Sequence, residues 1–424
     1  MQYSKSILAN GLRVITIPMP SVPSATVTVW VKTGSRNETK KNNGISHFLE
    51  HMGFKGSSKR PTAKEISEVI DGIGGEFNAG TGKEYTNYYV KCRASDTEVA
   101  FDVLSDMIIN PILDKKEIER EKGTIIEEIR MYEDTPMMKI GDVFEELIYS
   151  GTTLGMDISG TEKSVLGMKR EDFTNYRDNF YNSENIIVTV AGGVKKEEIS
   201  KLATKYFSKL STKQTFIKSD GIKNHQLTPK VKLHGKKKEQ THIILGFLAD
   251  GKEYKGKYAQ TILSAVLGGG MSSRMFIEVR ERRGLAYAVR TSMDRYSDIG
   301  YLGTYAGLDV SKAVEAVKVM LDEHNKITNS QSPVTRKELT KAKEFLKGHL
   351  ALALEDTSDV NSFFGDQELF SKKVLTPDEV FTEIDSVTLD EVHFEAKRLF
   401  VPERLNLSII GPYKNSEEFD KIIK

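Results

Sequence analysis

The stretch FYNSENIIVTV at residues 180–190 is echoed by LFVPERLNLSI at residues 399–409, which lies 219 positions further along the chain. In both stretches a polar turn precedes an apolar run that is typical of a buried strand. A second pair of segments agrees, because TVTVWV at residues 26–31 has its counterpart in HIILGF at residues 242–247, offset by 216 positions. The near coincidence of the two offsets indicates an internal repeat and predicts two domains of one architecture.

Each half of the chain combines apolar strands with helical segments, which is typical of an α+β fold. The length of 424 residues also favours two domains over one, because a single hydrophobic core rarely serves so long a chain. Between the halves, at roughly residues 209 to 230, polar residues, Gly and Pro replace the apolar periodicity, which predicts a linker. We therefore predict one domain over residues 1–215 and a second over residues 216–424.

The charge balance excludes several classes of function. With 61 basic and 60 acidic residues, the formal net charge is +1, so no global field attracts nucleic acid or an anionic membrane.

No run of 18 apolar residues occurs, so no membrane span is expected. Cys92 is the single cysteine, and the N-terminus reads directly as strand and turn without an apolar leader. We expect a cytoplasmic protein.

The motif HFLEH at residues 47–51 carries the chemistry. His47 and His51 are four positions apart, so on a helix both imidazoles lie on one face and can reach one zinc ion. The carboxylate of Glu50 flanks that face and can act as general base toward a water that the metal activates. This order of residues is the inverzincin signature of zinc peptidases. The alternative is a helix with two incidental surface histidines.

A catalytic zinc needs a third protein ligand, and EIEREKGTIIEEI at residues 117–129 offers candidates on a predicted helix. Glu121 and Glu128 are seven positions apart and therefore share one stripe of that helix. One of them can ligate the metal while the other hydrogen-bonds a ligating imidazole. Spacing alone does not choose Glu128 over Glu127, and a solvated acidic face is the alternative.

The segment HFLEHMGFKG at residues 47–56 resembles the active-site helix of the pitrilysin family, which includes insulin-degrading enzyme and the mitochondrial processing peptidase. The resemblance covers essentially the whole chain. It implies a zinc metalloendopeptidase with one Zn²⁺ per chain, built from two homologous domains. Each domain is expected to be a mostly antiparallel sheet with helices packed on it, together forming half of a peptidase chamber. It also implies Glu128 as third ligand and Glu121 as partner of an imidazole, with Glu127 the minor alternative.

Two further segments resemble the substrate-binding parts of that family. GGEFNA at residues 74–79, followed by TNYY at residues 86–89, resembles a substrate-edge strand, where Asn78 and Ala79 pair with an extended peptide. RERRGLAY at residues 280–287 resembles the segment whose Arg and Tyr hold the substrate near the scissile bond. The resemblance assigns these roles to Arg280 and Tyr287, which can stabilise the oxyanion.

The repeat places Leu263, Val266 and Leu267 where the first half has its metal motif, so the second domain is expected to keep the fold without the metal. Relatives of this length enclose a chamber between two half-molecules. Because this chain carries both the zinc ligands and the Arg–Tyr pair, we expect a homodimer, with a homologous partner chain as the alternative. The expected substrates are unfolded peptides. A processing peptidase for one partner protein, and a non-catalytic zinc-bound relative with a structural or peptide-binding role, are the alternative functions.

Overall fold

A computed structural model of the chain describes residues 1–212, 221–222, 225–329 and 331–424. Residues 213–220 and 223–224 of the predicted linker lie outside the described residues. The strands are β1 Ser4–Ile7, β2 Arg13–Pro18, β3 Ser24–Val31, β4 Glu76–Thr81, β5 Thr86–Arg93, β6 Ile186–Gly192, β7 Lys230–Gly235, β8 Gln240–Asp250, β9 Ala286–Arg295, β10 Ile299–Asp309 and β11 Leu405–Gly411.

The helices alternate with these strands along the chain. They are α1 Ile45–Gly53, α2 Ala63–Asp71, α3 Thr97–Ile109, α4 Lys115–Asp134, α5 Pro136–Ile148, α6 Glu162–Gly167, α7 Arg170–Phe180, α8 Lys196–Phe207, α9 Lys257–Gly268, α10 Ala313–Thr328, α11 Arg336–Ala353, α12 Thr357–Phe370, α13 Pro377–Ser386, α14 Leu389–Leu399 and α15 Glu417–Ile423. A π-helical segment spans Phe276–Glu281.

Two mixed sheets organise the molecule, and each is mostly antiparallel, as the α+β prediction requires. The first has the order β1-β2-β6-β3-β5-β4, with β2 and β6 as its parallel pair. The second has the order β7-β11-β8-β10-β9, with β7 and β11 as its parallel pair. In both sheets the parallel strand comes from the end of the half, where the repeated segments 180–190 and 399–409 lie. The repeat thus corresponds to two sheets of similar topology.

The chain forms two compact units that do not coincide with two continuous halves. The first unit comprises Met1–Met131, Met156–Ser219 and Leu352–Thr376. The second unit comprises Tyr132–Gly155, Asp220–Ala351 and Pro377–Lys424. Each unit therefore contains one segment from the opposite half of the sequence, which boundaries at residues 215 and 216 do not anticipate.

Two helices account for this exchange. Helix α12 packs on β3 and β6 of the first sheet, where Leu369 joins Trp30 and Ile187 in a buried cluster. Helix α5 packs on β8 and β11 of the second sheet, where Val143 and Phe144 are buried against strand residues. The opposite face of each sheet carries the larger core of its own unit. Both sheets are consequently covered on two faces.

Beneath each of the two exchanged helices, a glycine packs closely against a large aromatic residue. In the first unit, a Cβ on Gly365 of α12 would come within 2.5 Å of the indole of Trp30. In the second unit, a Cβ on Gly246 of β8 would come within 2.6 Å of the ring of Phe144 on α5. The large residue belongs to the strand in one unit and to the helix in the other, so each helix fits the sheet that it covers.

Among the described residues, no helix is both long enough and apolar enough to cross a bilayer.

Candidate metal centre

Helix α1 presents its motif because its other face is apolar. Ile45, Phe48, Leu49 and Met52 recur with helical spacing and are buried in the core of the first unit. The motif residues His47, Glu50 and His51 occupy the adjacent face of the same helix.

The start of α1 is fixed by a buried carboxylate. Glu38 accepts hydrogen bonds from the backbone N–H groups of Gly44 at 2.7 Å and Ser46 at 2.9 Å. Burial raises the pKa of Glu38, although these hydrogen bonds oppose the rise. Gly44 has a φ of +95°, and a Cβ there would lie 2.6 Å from the carbonyl oxygen of Ser159. The backbone entering α1 is therefore tightly specified.

Helix α4 carries the predicted acidic ligands. Its residues Ile118, Ile125 and Ile126 are buried, which turns the stripe of Glu121 and Glu128 toward α1. Glu127 points elsewhere, because its side chain is 72% exposed and pairs with Arg130 at 2.7 Å. Of the two neighbouring glutamates, Glu128 is the one placed beside the histidines.

Three side chains converge as a ligand set. The Nε2 atoms of His47 and His51 lie 3.2 Å apart. Each also lies 3.6 Å from a carboxylate oxygen of Glu128. Two tetrahedral ligands that each stand about 2.1 Å from a zinc ion are separated by about 3.4 Å. The two His nitrogens and the Glu128 carboxylate thus fit three of the four positions around a tetrahedral zinc ion.

Glu121 orients one of the two imidazoles. Its Oε1 lies 2.9 Å from Nδ1 of His51, and its Oε2 lies 2.7 Å from Nζ of Lys55. Burial raises the pKa of Glu121, but the hydrogen bonds from His51 and Lys55 outweigh it and leave the pKa lowered. Burial lowers the pKa of His51, but Glu121 and the nearby carboxylates outweigh it and leave the pKa raised. An ionised Glu121 at Nδ1 leaves Nε2 free to bind a metal.

His47 differs from His51 in its surroundings. Burial and the neighbouring His51 lower the pKa of His47 to about 3, so its imidazole is neutral and able to ligate at neutral pH. Its buried Nδ1 has no hydrogen-bond partner among the described residues. Of the two ligating imidazoles, only that of His51 is therefore held through its second ring nitrogen.

Glu50 lies next to the ligand set without belonging to it. Its Oε2 accepts a hydrogen bond of 2.6 Å from the hydroxyl of Thr81, the last residue of β4. Burial raises the pKa of Glu50, while the bond from Thr81 opposes the rise. A carboxylate with a raised pKa beside a metal site is typical of a general base.

The residues predicted for substrate binding lie in two places. Asn78 and Ala79 belong to β4, which is the outermost strand of the first sheet in the described part of the chain. Arg280 and Tyr287 belong to the second unit, where the guanidinium carbon lies 5.4 Å from the centroid of the Tyr287 ring. Tyr287 is 85% exposed. The two side chains are thus neighbours within the second unit.

The second unit has no such ligand set among its described residues. Leu263, Val266 and Leu267 of α9, which the repeat aligns with the metal motif, are buried in its core.

Three residues of the site are absent from the sequence-based prediction: Glu38, Lys55 and Thr81. Thr81 follows Ala79 by two positions on the predicted edge strand, so strand alternation could have placed both on one face. Lys55 follows His51 by four positions, but the helical spacing did not indicate which residue its ammonium group would contact. Glu38 lies in a polar loop, where no periodic signal exists.

Comparison with known families agrees with this geometry. The family model described as Insulinase (Peptidase family M16) matches residues 13–162. The model described as Peptidase M16 inactive domain matches residues 167–346. The first match contains all three residues of the ligand set, and the second contains Arg280 and Tyr287.

Similar proteins match along nearly the whole chain. A Bacillus subtilis protein named as an uncharacterized zinc protease, YmxG, is 37% identical over 96% of this chain and 97% of its own length. A Streptomyces coelicolor protein, also named as an uncharacterized zinc protease, is 35% identical over 97% of this chain and 90% of its own length. The crystal structure of a Helicobacter pylori protease has a TM-score of 0.91 at 22% identity, covering 97% of this chain and 99% of that one.

Proposed function

The chain belongs to peptidase family M16, and from that premise we propose that it is a zinc-dependent endopeptidase acting on unfolded peptides. We assign His47, His51 and Glu128 as ligands of one zinc ion per chain. The observation that carries the proposal is the convergence of these three side chains at 3.2 to 3.6 Å, with Glu50 alongside but outside the ligand set. A purely structural zinc site would use four protein ligands and no neighbouring base.

Each residue of the site has a separate role in peptide hydrolysis. Zinc, when bound, supplies a Lewis acid that polarises the scissile carbonyl and activates the attacking water. Glu50 takes the proton from the water at its carboxylate and delivers it to the leaving amine. The hydroxyl of Thr81 holds that carboxylate in place, and Glu121 holds the imidazole of His51. Arg280 and Tyr287 donate hydrogen bonds to the developing oxyanion.

The edge strand β4 supports an extended, unfolded substrate. A peptide pairing along Asn78 and Ala79 would be recognised mainly through its backbone, which tolerates varied side chains. In the free structure, Oδ1 of Asn78 accepts a hydrogen bond of 2.9 Å from the backbone N–H of Ala79. A substrate strand would compete for that N–H. Folded proteins, which lack a free extended segment, should be poor substrates.

The assembly we propose is a homodimer in which the Arg–Tyr pair of each chain serves the zinc site of the other. The proposal is supported by the presence of both sets of residues in one chain. A homologous partner chain is the alternative.

The proposal is tested by comparing the purified chain with Glu50→Gln on a quenched, flexible peptide library, after measuring the zinc content of both. We expect the wild type to cleave the library and to lose this activity to a chelator. The variant should hold equal zinc and be inactive, since Glu50 is not a ligand. Equal cleavage by both proteins would refute Glu50 as the base. Zinc binding without cleavage by either protein would favour the non-catalytic alternative.

A further inference from the structure

We propose that Lys55 is a positioning residue of the metal centre, which holds the Glu121 carboxylate so that it fixes the imidazole of His51 for metal binding. The inference rests on the proposed zinc site and concerns its assembly, which is measurable without peptidase activity. Lys55 lies just beyond α1, whose last residue is Gly53, and its backbone N–H donates to the carbonyl of Met52.

The contacts form a linear chain of three side chains. Nζ of Lys55 donates to Oε2 of Glu121 at 2.7 Å, and Oε1 of Glu121 accepts from Nδ1 of His51 at 2.9 Å. One oxygen of the carboxylate therefore serves each partner. Because both carboxylate oxygens are engaged, the plane of the carboxylate is defined by both partners together, and Lys55 sets half of that geometry.

Glu121 depends on Lys55 because it is buried. Its side chain is only 4% exposed, and the described residues offer it just two hydrogen-bonding partners, His51 and Lys55. A buried carboxylate that loses its cation must rotate or admit water to regain a partner. Either change would release the Nδ1 atom of His51 from its present position.

The asymmetry between the two histidines makes the role of Lys55 consequential. Nδ1 of His47 has no partner among the described residues, whereas Nδ1 of His51 is held by Glu121. The hydrogen-bonded series Lys55–Glu121–His51 is therefore the arrangement through which the protein orients a ligating imidazole. Substitutions of such supporting groups cost about 10 to 100-fold in metal affinity.

The test compares Lys55→Met and Lys55→Arg with the wild type in zinc affinity, measured by competition with a chromogenic chelator. Lys59→Met is the matched control. Lys59 pairs with Asp102 on the surface, so this substitution removes the same charge without affecting a contact of Glu121. Visible spectra of the Co²⁺-loaded proteins report the coordination geometry independently of activity. Thermal unfolding of the metal-free proteins reports whether the fold is intact.

We expect Lys55→Met to weaken zinc binding about 10-fold or more and to alter the Co²⁺ spectrum, while Lys55→Arg and Lys59→Met stay within about 3-fold of the wild type. If Lys55→Met fails to fold, the Lys55→Arg and Lys55→Gln variants carry the comparison, with Lys55→Gln expected to bind more weakly than Lys55→Arg. Unchanged or tighter zinc binding in a folded Lys55→Met, with the wild-type spectrum, would overturn the proposal. Failure of the peptidase assay would leave this test unaffected and would count against the proposed function alone.

Discussion

The hydroxyl of Thr81 lies 2.6 Å from the Oε2 atom of Glu50, so the last residue of the edge strand is bonded to the proposed general base. Thr81 stands two positions beyond Ala79 on β4. The strand proposed to receive the substrate and the side chain proposed to move the proton are therefore fixed to each other.

Substitution of Thr81 by Val should lower kcat about 10-fold or more, because a hydrogen bond to a charged group is worth about 1.5–3 kcal/mol and Glu50 would lose this bond. Thr81→Ser keeps the hydroxyl and should retain most of the activity. Zinc content should be equal in both variants, since Thr81 does not contact a ligand. Steady-state kinetics on a quenched peptide provide the measurement. Equal kcat values for the Val and Ser variants would argue against the role of Thr81.

Mixing two inactive variants tests whether sites are completed between chains. Glu50→Gln lacks the base and Arg280→Met lacks one of the two proposed oxyanion donors, so the first homodimer should be inactive and the second should lose about 100-fold or more in kcat. A mixed dimer contains one site with both groups intact if Arg280 acts on the partner's zinc site, and activity should return on mixing. Arg282→Met, which removes a nearby exposed cation paired with Glu278, should stay active alone. An inactive mixture, with mixed dimers demonstrated by tagged chains, would contradict completion in trans.

The contact between Gly365 and Trp30 predicts a stability effect remote from the metal. Gly365→Ala places a Cβ within 2.5 Å of the indole and should destabilise the protein by about 1–3 kcal/mol through overpacking. Gly348→Ala in α11 is the matched control, because a Cβ there meets no atom within 4 Å. Ala is the better helix former, so the control should be neutral or stabilising by up to about 1 kcal/mol. Chemical unfolding of both variants would distinguish a steric clash from an effect of helix propensity. Equal stabilisation of the two variants would refute the predicted clash.

His324 should make stability depend on pH. It is fully buried beside Phe247 and Phe400, and burial lowers its pKa from 6.5 to about 4. Between these values the unfolded state binds the proton more readily, so this contribution to stability is complete above pH 6.5 and is lost as the pH falls toward 4. The loss amounts to about 3 kcal/mol.

The free energy of unfolding is measured for the wild type and for His324→Leu across pH 4 to 7. The difference between the two curves should give the pH dependence that His324 contributes. The control is His349→Leu, since His349 is exposed. A wild-type slope that persists unchanged in His324→Leu would contradict the assignment.

The sequence predicted those features that follow from local periodicity. Helix α1 was predictable because its apolar residues recur with helical spacing, and the same spacing put His47, Glu50 and His51 on one face. Spacing left Glu127 and Glu128 equivalent. The burial of Ile118 and Ile125 is what turns Glu128 inward, and the family resemblance had named the same residue.

The exchange of α5 and α12 was not predictable in this way. Local periodicity can identify a helix, but it does not identify the sheet that the helix covers. The choice depends on complementary sizes, Trp30 against Gly365 and Phe144 against Gly246, which come together only in three dimensions. Lys55 was missed for a similar reason, because its partner Glu121 lies 66 positions away in the sequence.

The most direct test of the central claim is a titration of the metal-free chain with Zn²⁺ while peptide cleavage is recorded. Glu128→Gln and the neighbouring Glu127→Gln are titrated in parallel, since both remove one charge from α4 but only Glu128 lies among the ligands. We predict that the wild type and Glu127→Gln gain activity up to one equivalent and then reach a plateau, whereas Glu128→Gln needs a large excess of zinc. Cleavage by the metal-free chain, or identical titrations of the two variants, would contradict a zinc peptidase built on His47, His51 and Glu128.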